Sequence, residues 1–272
     1  AARALAAAAD AIASRARREP GTVYELLDSL DQSVFEIAAE LRSPALPRSI
    51  ADLLEDVGRE TARGLEARGL KAKVFPVDVS DAAQVESMVK SVVETYGGVD
   101  ILVNNAGIGQ RCAILEMAVE EWERVLAVNL RGNFLCSQAV GKELVQQGRG
   151  GRIVSIVSTA AENARINAGA YCASKAGILQ FIRVLAQELG QYGITANAVG
   201  PGLTVTGNPL REPVSETYLG AFLKEVPLAR PGSPKDIAQV VAFLASSKAD
   251  YISGQVIYAD GGYSAGKLSV QD

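Results

Sequence analysis

The chain has 272 residues, 48% of them apolar, with 27 Lys and Arg against 31 Asp and Glu for a net charge of −4, and it contains no histidine. That length and apolar content suffice for one large domain with a buried core, and the mild acidity offers no basic stripe to a nucleic acid. The absence of histidine excludes every Ser-His-Asp, Cys-His or zinc-histidine arrangement. Cys112, Cys136 and Cys172 are odd in number and lack CxxC spacing, which suits a reducing interior rather than a disulfide scaffold.

The first fifty residues stand apart. Ten of the first twenty are Ala, Pro20-Gly21 makes a break, "TVYELLDSLDQSVFEIAAELR" is helical in pattern and "SPALPRS" is a loop. Asp10 and several arginines interrupt the Ala-rich opening and no long apolar core follows, so it does not read as a signal peptide. No run in the chain approaches the roughly 18 apolar residues of a membrane span. A soluble, cytoplasmic protein is the expectation.

From about residue 70, short Val- and Ile-rich runs alternate with longer helical patterns, the rhythm of βαβ units. The strand candidates are "KAKVFPV" (71–77), "VDILVNN" (99–105), "GRIVSIVS" (151–158), "GITANAV" (193–199) and "GQVIYAD" (254–260). Ser80 is the expected cap of the helix in "DAAQVESMVKSVVETYG". Ser233, ahead of Pro234 with Asp236 in the first turn, starts "PKDIAQVVAFLASS". Near-continuous apolar strands with long crossovers predict a Rossmann-like α/β fold, a doubly wound parallel sheet with helices on both faces. Ligands on such sheets bind at the carboxyl ends of the strands.

One helix carries a possible chemical site. In "GAYCASKAGILQFIRVLAQEL", Tyr171, Lys175, Ile178, Ile182, Leu185 and Leu189 fall on one stripe, and the helix follows a strand ending at Ser158. A tyrosine of ordinary pKa near 10 is a poor base, and bringing it to neutrality takes roughly 4 kcal/mol. A lysine ammonium about 5 Å away, at an effective dielectric of about 20, supplies on the order of 3 kcal/mol. An adjacent cationic ring would complete the change. The i,i+4 spacing sets that separation. Tyr and Lys four apart also occur by chance on many helices, so the pair is not diagnostic alone.

Other segments occur with it in order: "DVSD" at 78–81, "NNAG" at 104–107, "VNLRG" with Asn129, Ser158 thirteen residues before Tyr171, "NAVGPGLTVT" and "GQVIYADGG". With these, residues 70–263 resemble a classical short-chain dehydrogenase/reductase over about 70% of the chain. The resemblance implies hydride transfer between NAD(H) or NADP(H) and a secondary alcohol or ketone. It implies that Ser158 orients the substrate oxygen, Tyr171 is the general acid/base, Lys175 tunes it and binds the nicotinamide ribose, and Asn129 holds a relay water. Asp78 and Val79 would meet the adenine and Asn105, Ala106 and Gly107 the adenosine half, while Pro201, Gly202, Thr204 and Thr206 would hold the nicotinamide amide. It also implies a homo-oligomer, a tetramer or dimer, with a small-molecule substrate.

The family's opening strand and TGxxxGxG turn are missing: only Gly21 stands before Gly58. The pattern resumes within "SIADLLEDVGRETARGLEARG", where Asp52 aligns with the acid that accepts the adenosine ribose hydroxyls, favouring NAD over NADP; Asp52 is equally readable as a surface or cap residue. The expected organisation is an atypical helical segment over 1–49, replacing the first βα unit, and a Rossmann domain over 50–272. Without the central strand, a gap is expected in the sheet. Residues 1–49 read as a natural helical replacement, as an altered frame or fusion upstream of Asp52, or as an added oligomerisation element. The mixed charges of 203–232, the expected lid, suggest a polar substrate such as a sugar, polyol or hydroxy acid. Asn163 and Arg165 are candidate substrate contacts or a surface turn. Two functions stay open: an NAD-preferring dehydrogenase, or a catalytically weak subunit that keeps the scaffold for assembly.

Overall fold

The computed structural model describes residues 48–52, 55–67, 69–205 and 214–266. Strand β1 (Arg48–Asp52), helix α1 (Glu55–Glu66), β2 (Ala72–Pro76), α2 (Ala82–Tyr96) and β3 (Ile101–Asn104) come first. After them come α3 (Val119–Leu126), a π turn (Ala127–Arg131), α4 (Gly132–Gln147), β4 (Gly151–Ile156) and α5 (Gly169–Leu189). The chain continues through β5 (Ile194–Pro201), α6 (Glu216–Leu223), α7 (Pro234–Leu244) and β6 (Val256–Ala259). The expected helical segment over 1–49 lies outside the described residues apart from Arg48 and Ser49. Those two already belong to β1, so the strand begins ahead of the boundary expected after residue 49.

All pairings among the described residues are parallel, as the crossover helices require. β5 shows why: Ile194 to Gly200 are all buried. Ile153, Ala196 and Ala198 turn to one face, under Val89 of α2, Val140 and Leu144 of α4, and Ile178, Ile182 and Leu185 of α5. Val154 and Val199 turn to the other, under Ile237, Val241 and Leu244 of α7. Period-two alternation thus gives each face its own apolar layer.

The described strands form two sheets instead of one. β1 pairs only with β2, from Arg48 opposite Ala72 to Asp52 opposite Pro76, whereas β3, β4, β5 and β6 pair in that order. This is the classic doubly wound order with its central strand missing among the described residues. The two-stranded piece closes on α1, whose Ala62 and Leu65 pack with Leu70, Ala72 and Val74. Across the break, Val77, Val85 and Cys136 form an apolar seam with Val79, Leu102 and Leu135.

Helix starts follow local chemistry, with one correction. Ser233 and Asp236 form the expected capping box before α7. Ser80 does not cap α2. Its hydroxyl donates to Asp78 Oδ1 at 2.7 Å, and Asp81 is the cap, its carboxylate accepting from the Gln84 amide. Asp78 competes successfully for the serine because it lies two residues before it in the same turn.

Candidate active site

The site is assembled at the carboxyl ends of β3, β4 and β5. Tyr171 stands half-buried in the first turn of α5, and one turn later Lys175 is 4% exposed. The stripe continues through Ile178, Ile182 and Leu185, all buried, so packing below fixes the height of the pair. Lys175 Nζ lies 5.7 Å from the centre of the Tyr171 ring and donates to the Ile156 carbonyl at 2.9 Å. Ile156 is the last residue of β4. Burial lowers the Lys175 pKa from 10.5 to about 8, since little in an apolar surround replaces the water the ammonium loses.

Ser158 follows β4 by two residues in extended backbone and is half-buried; its Oγ accepts from the Ala160 amide at 3.1 Å. Asn129 sits in the π turn between α3 and α4 and is 1% exposed. Its Oδ1 accepts from Ile108 N at 2.7 Å, and its Nδ2 donates to Ile108 O and to Ser174 Oγ, each at 3.0 Å. Both amide hydrogens are therefore committed, and the side chain clamps the loop after β3 to α5. Ser174 in turn donates to the Tyr171 carbonyl at 2.7 Å.

The proposed cofactor residues fall into two groups. After β2, Asp78 accepts from Ser80, while Arg131 donates to the Ser80 carbonyl at 2.9 Å. Val79 lies against Gly132, where an added Cβ would come 2.9 Å from Val79 Cγ2. Asn105, Ala106 and Gly107 run from the end of β3, and a Cβ on Gly107 would stand 3.3 Å from both Asn129 Oδ1 and Lys175 Nζ. Asp52 ends β1, opposite Pro76.

On the other side, Pro201 ends β5 opposite Ala259, and Gly202 is pressed against Asp260, 2.8 Å from its Cα to an added Cβ. Thr204 bridges Gly232 and donates to the Gly202 carbonyl at 3.3 Å. Thr206 lies outside the described residues. Arg165 reaches α6, donating to Tyr218 Oη at 2.8 Å, whereas Asn163 is exposed.

Sequence reasoning missed several polar partners. Ser174 could have been found, since it lies in "YCASK" three residues after Tyr171 on the helix. Asn104, Asn133, Ser137 and Ser155 form a buried cluster behind the site, with Asn104 Nδ2 donating to Ser137 and Ser155, and Asn133 Nδ2 to Ser155. Gln110, too, has partners that no local pattern announces.

A family model described as Enoyl-(Acyl carrier protein) reductase matches residues 35–264. The chain is 41% identical over 203 residues to the short-chain dehydrogenase/reductase eriH of Hericium erinaceus, covering 75% of this chain and 80% of that protein. It is 39% identical over 211 residues to the 3-oxoacyl-[acyl-carrier-protein] reductase FabG of Thermotoga maritima, covering 76% and 85%. Among solved structures it resembles a gluconate 5-dehydrogenase from Burkholderia cenocepacia in complex with NADP and tartrate, with TM-score 0.82, 28% identity, and coverage of 88% and 93%. An acetoin dehydrogenase from Enterobacter cloacae superposes with TM-score 0.77 at 32% identity, covering 88% and 93%. The match to the family over most of the chain, on a fold that brings Tyr171 and Lys175 together, identifies the chain as a member of the classical short-chain dehydrogenase/reductase family, NAD(P)-dependent oxidoreductases of small molecules that are typically oligomeric.

Proposed function

We propose that the chain interconverts a secondary alcohol and its ketone on a small polar substrate, with NAD preferred over NADP. The observation that carries the reading is Lys175, buried and held by the Ile156 carbonyl with its ammonium 5.7 Å from the Tyr171 ring, in a chain without histidine. An ammonium about 5 Å from a phenolate oxygen, at an effective dielectric of about 20, favours the phenolate by roughly 3 kcal/mol. Tyr171 is then able to take the alcohol proton or return it to a carbonyl oxygen. Ser158 already accepts from Ala160, so its own proton is the part left for the substrate oxygen. Asn129 acts as a clamp on the Ile108 loop, a positioning role in place of direct contact with the reacting atoms.

The residues present fit the nicotinamide riboside half of the cofactor. Lys175 Nζ has three protons and spends one on the Ile156 carbonyl, and at Gly107 an added Cβ would crowd the ammonium at 3.3 Å. When bound, the nicotinamide ring supplies or accepts the hydride. Lys175 would hold its ribose, Pro201, Gly202, Thr204 and Thr206 its amide, Asp78 and Val79 the adenine, and Asp52 the adenosine ribose, where a carboxylate would repel a 2′-phosphate. The mixed charges of 203–232 and the Arg165–Tyr218 contact support a polar substrate. The names of the relatives, acting on 3-oxoacyl groups, gluconate or acetoin, fit hydroxy and keto compounds.

A second reading rests on the sequence: no glycine-rich turn precedes "NNAG" to receive a pyrophosphate, which favours a weak or silent subunit. Titration with NADH, followed by nucleotide fluorescence, separates the two. Saturable binding with turnover abolished in Tyr171→Phe is expected; no saturation up to about millimolar NADH would leave the second reading.

A further inference from the structure

Tyr171 occupies the first turn of α5, and that turn has no side-chain cap, because the residue ahead of it is Ala168. Without a side-chain cap, a helix start has to be fixed by other contacts. The loop after β3 supplies the restraint. One turn beyond Tyr171, the loop passes at Gly107, whose added Cβ would stand 3.3 Å from Lys175 Nζ. One turn before Tyr171, Gln110 Nε2 donates to the Asn167 carbonyl at 3.2 Å and to the Cys112 carbonyl at 3.0 Å. The Cys112 amide also donates to the Asn167 carbonyl, at 2.9 Å.

Asn167 has φ of 60°, in the left-handed region that Asn tolerates better than most residues but less readily than Gly, so its surroundings help to hold it there. Gln110 is one of those surroundings. It is 5% exposed, and its Oε1 is buried with no hydrogen-bond partner among the described residues. An unpaired buried acceptor is a cost that an apolar side chain of similar shape would avoid. The two donated bonds account for the amide.

We propose that Gln110 is a positioning residue: by holding the Asn167 carbonyl it fixes the left-handed turn that launches α5, and with Asn129, which joins Ile108 to Ser174, it gives the loop a two-point grip on the helix before and after Tyr171. Below Lys175 the helix is pinned in the core by Ile178, Ile182 and Leu185, so loss of the grip loosens only its first turn. The consequence for chemistry rests on Tyr171 being the acid/base group, but the grip itself is measurable without turnover.

The test uses the full chain labelled with 13Cζ-tyrosine, the Tyr171 resonance being assigned by its loss in Tyr171→Phe. In Gln110→Met that resonance should move or broaden, and the Cys112 and Cys172 amides should exchange about ten-fold faster while those of Ile178 and Ile182 do not change. Adding Asn167→Gly, which accepts a positive φ unaided, should restore the Tyr171 resonance and Cys172 protection. Leu144→Ala, a core truncation far from the loop, should leave the resonance in place. An unmoved resonance in Gln110→Met, exchange rising evenly along α5, or no recovery with Asn167→Gly would overturn the proposal. If Gln110→Met does not fold, Gln110→Asn keeps the amide, shortens its reach and carries the same test. A resonance that moves while Tyr171→Phe retains turnover would leave the grip standing and remove the role proposed for Tyr171.

Discussion

Burial of Lys175 should be visible as a pH dependence of stability that disappears when the ammonium is removed. In the unfolded chain its proton is held up to about pH 10.5, and in the fold only up to about 8. Between those values the unfolded state binds more protons, so raising the pH through this window stabilises the fold. At about 1.4 kcal/mol per pH unit, the whole window amounts to on the order of 3 kcal/mol. Lys175→Met keeps the length of the side chain and removes the proton. The comparison belongs in a Tyr171→Phe background, because a phenolate on the ring whose centre lies 5.7 Å from the ammonium would hold it charged to higher pH. Urea unfolding of the two variants, followed by the fluorescence of the lone Trp122 between about pH 7 and 9.5, reads out the difference. Trp122 packs with Ile108, Val125 and Ala170, close to the site, and reports its loss directly. Cys136, whose thiol burial pushes up to about 11, is common to both chains and cancels. The lysine-containing chain should gain on its methionine counterpart by roughly 2 kcal/mol over that range. A difference that stays flat, or that falls with pH, would mean the ammonium is not desolvated, and the tuning of Tyr171 would need another source.

Three further outcomes follow from the same geometry. Asn129→Ala strips the partners from the buried Ile108 amide and carbonyl and should cost about 2–4 kcal/mol, measured by urea unfolding. Gly132→Ala drives a methyl into Val79 and should lower stability by about 1–3 kcal/mol; if Asp78 and Val79 meet the adenine, NADH affinity falls about ten-fold while that of reduced nicotinamide mononucleotide is unchanged. Asp236→Asn breaks the capping box of α7 and should cost about 1 kcal/mol at pH 7. The Arg230 guanidinium beside Asp236 holds its carboxyl well below the usual range, so the wild-type advantage is full above about pH 4 and shrinks as the pH falls further, which thermal melts across pH 2–7 would record.

What the sequence reveals depends on whether the determining contacts are local. The strands expected at 71–77, 99–105, 151–158 and 254–260 contain β2, β3, β4 and β6, and β5 runs two residues past the expected 193–199, because buried parallel strands write themselves as continuous apolar runs. Tyr171 and Lys175 are legible for the same reason, since helical spacing alone sets them on one face. Asn129 is different. Its place is fixed by a π turn and by the backbone of Ile108, 21 residues away, neither of which the flanking residues signal. Gln110 reaches Asn167 across 57 residues, and its orphaned oxygen has no counterpart in any pattern. The cap of α2 is set locally as well: Ser80, the expected cap, donates to Asp78, and Asp81 caps the helix in its place.

The break between the two sheets bears on how the molecule comes apart. Among the described residues no ladder bond crosses from β1 and β2 to β3, so the halves meet through side chains at Val77, Val85 and Cys136 and through Arg131 on Ser80. Such a seam can open while the four-stranded half stays intact, which predicts an early step in dilute denaturant, with 72–76 losing exchange protection before 151–156. Asp78 and Val79 sit on that seam. Any ligand that reaches from them to Lys175 would act as a stitch, fusing two melting events into one.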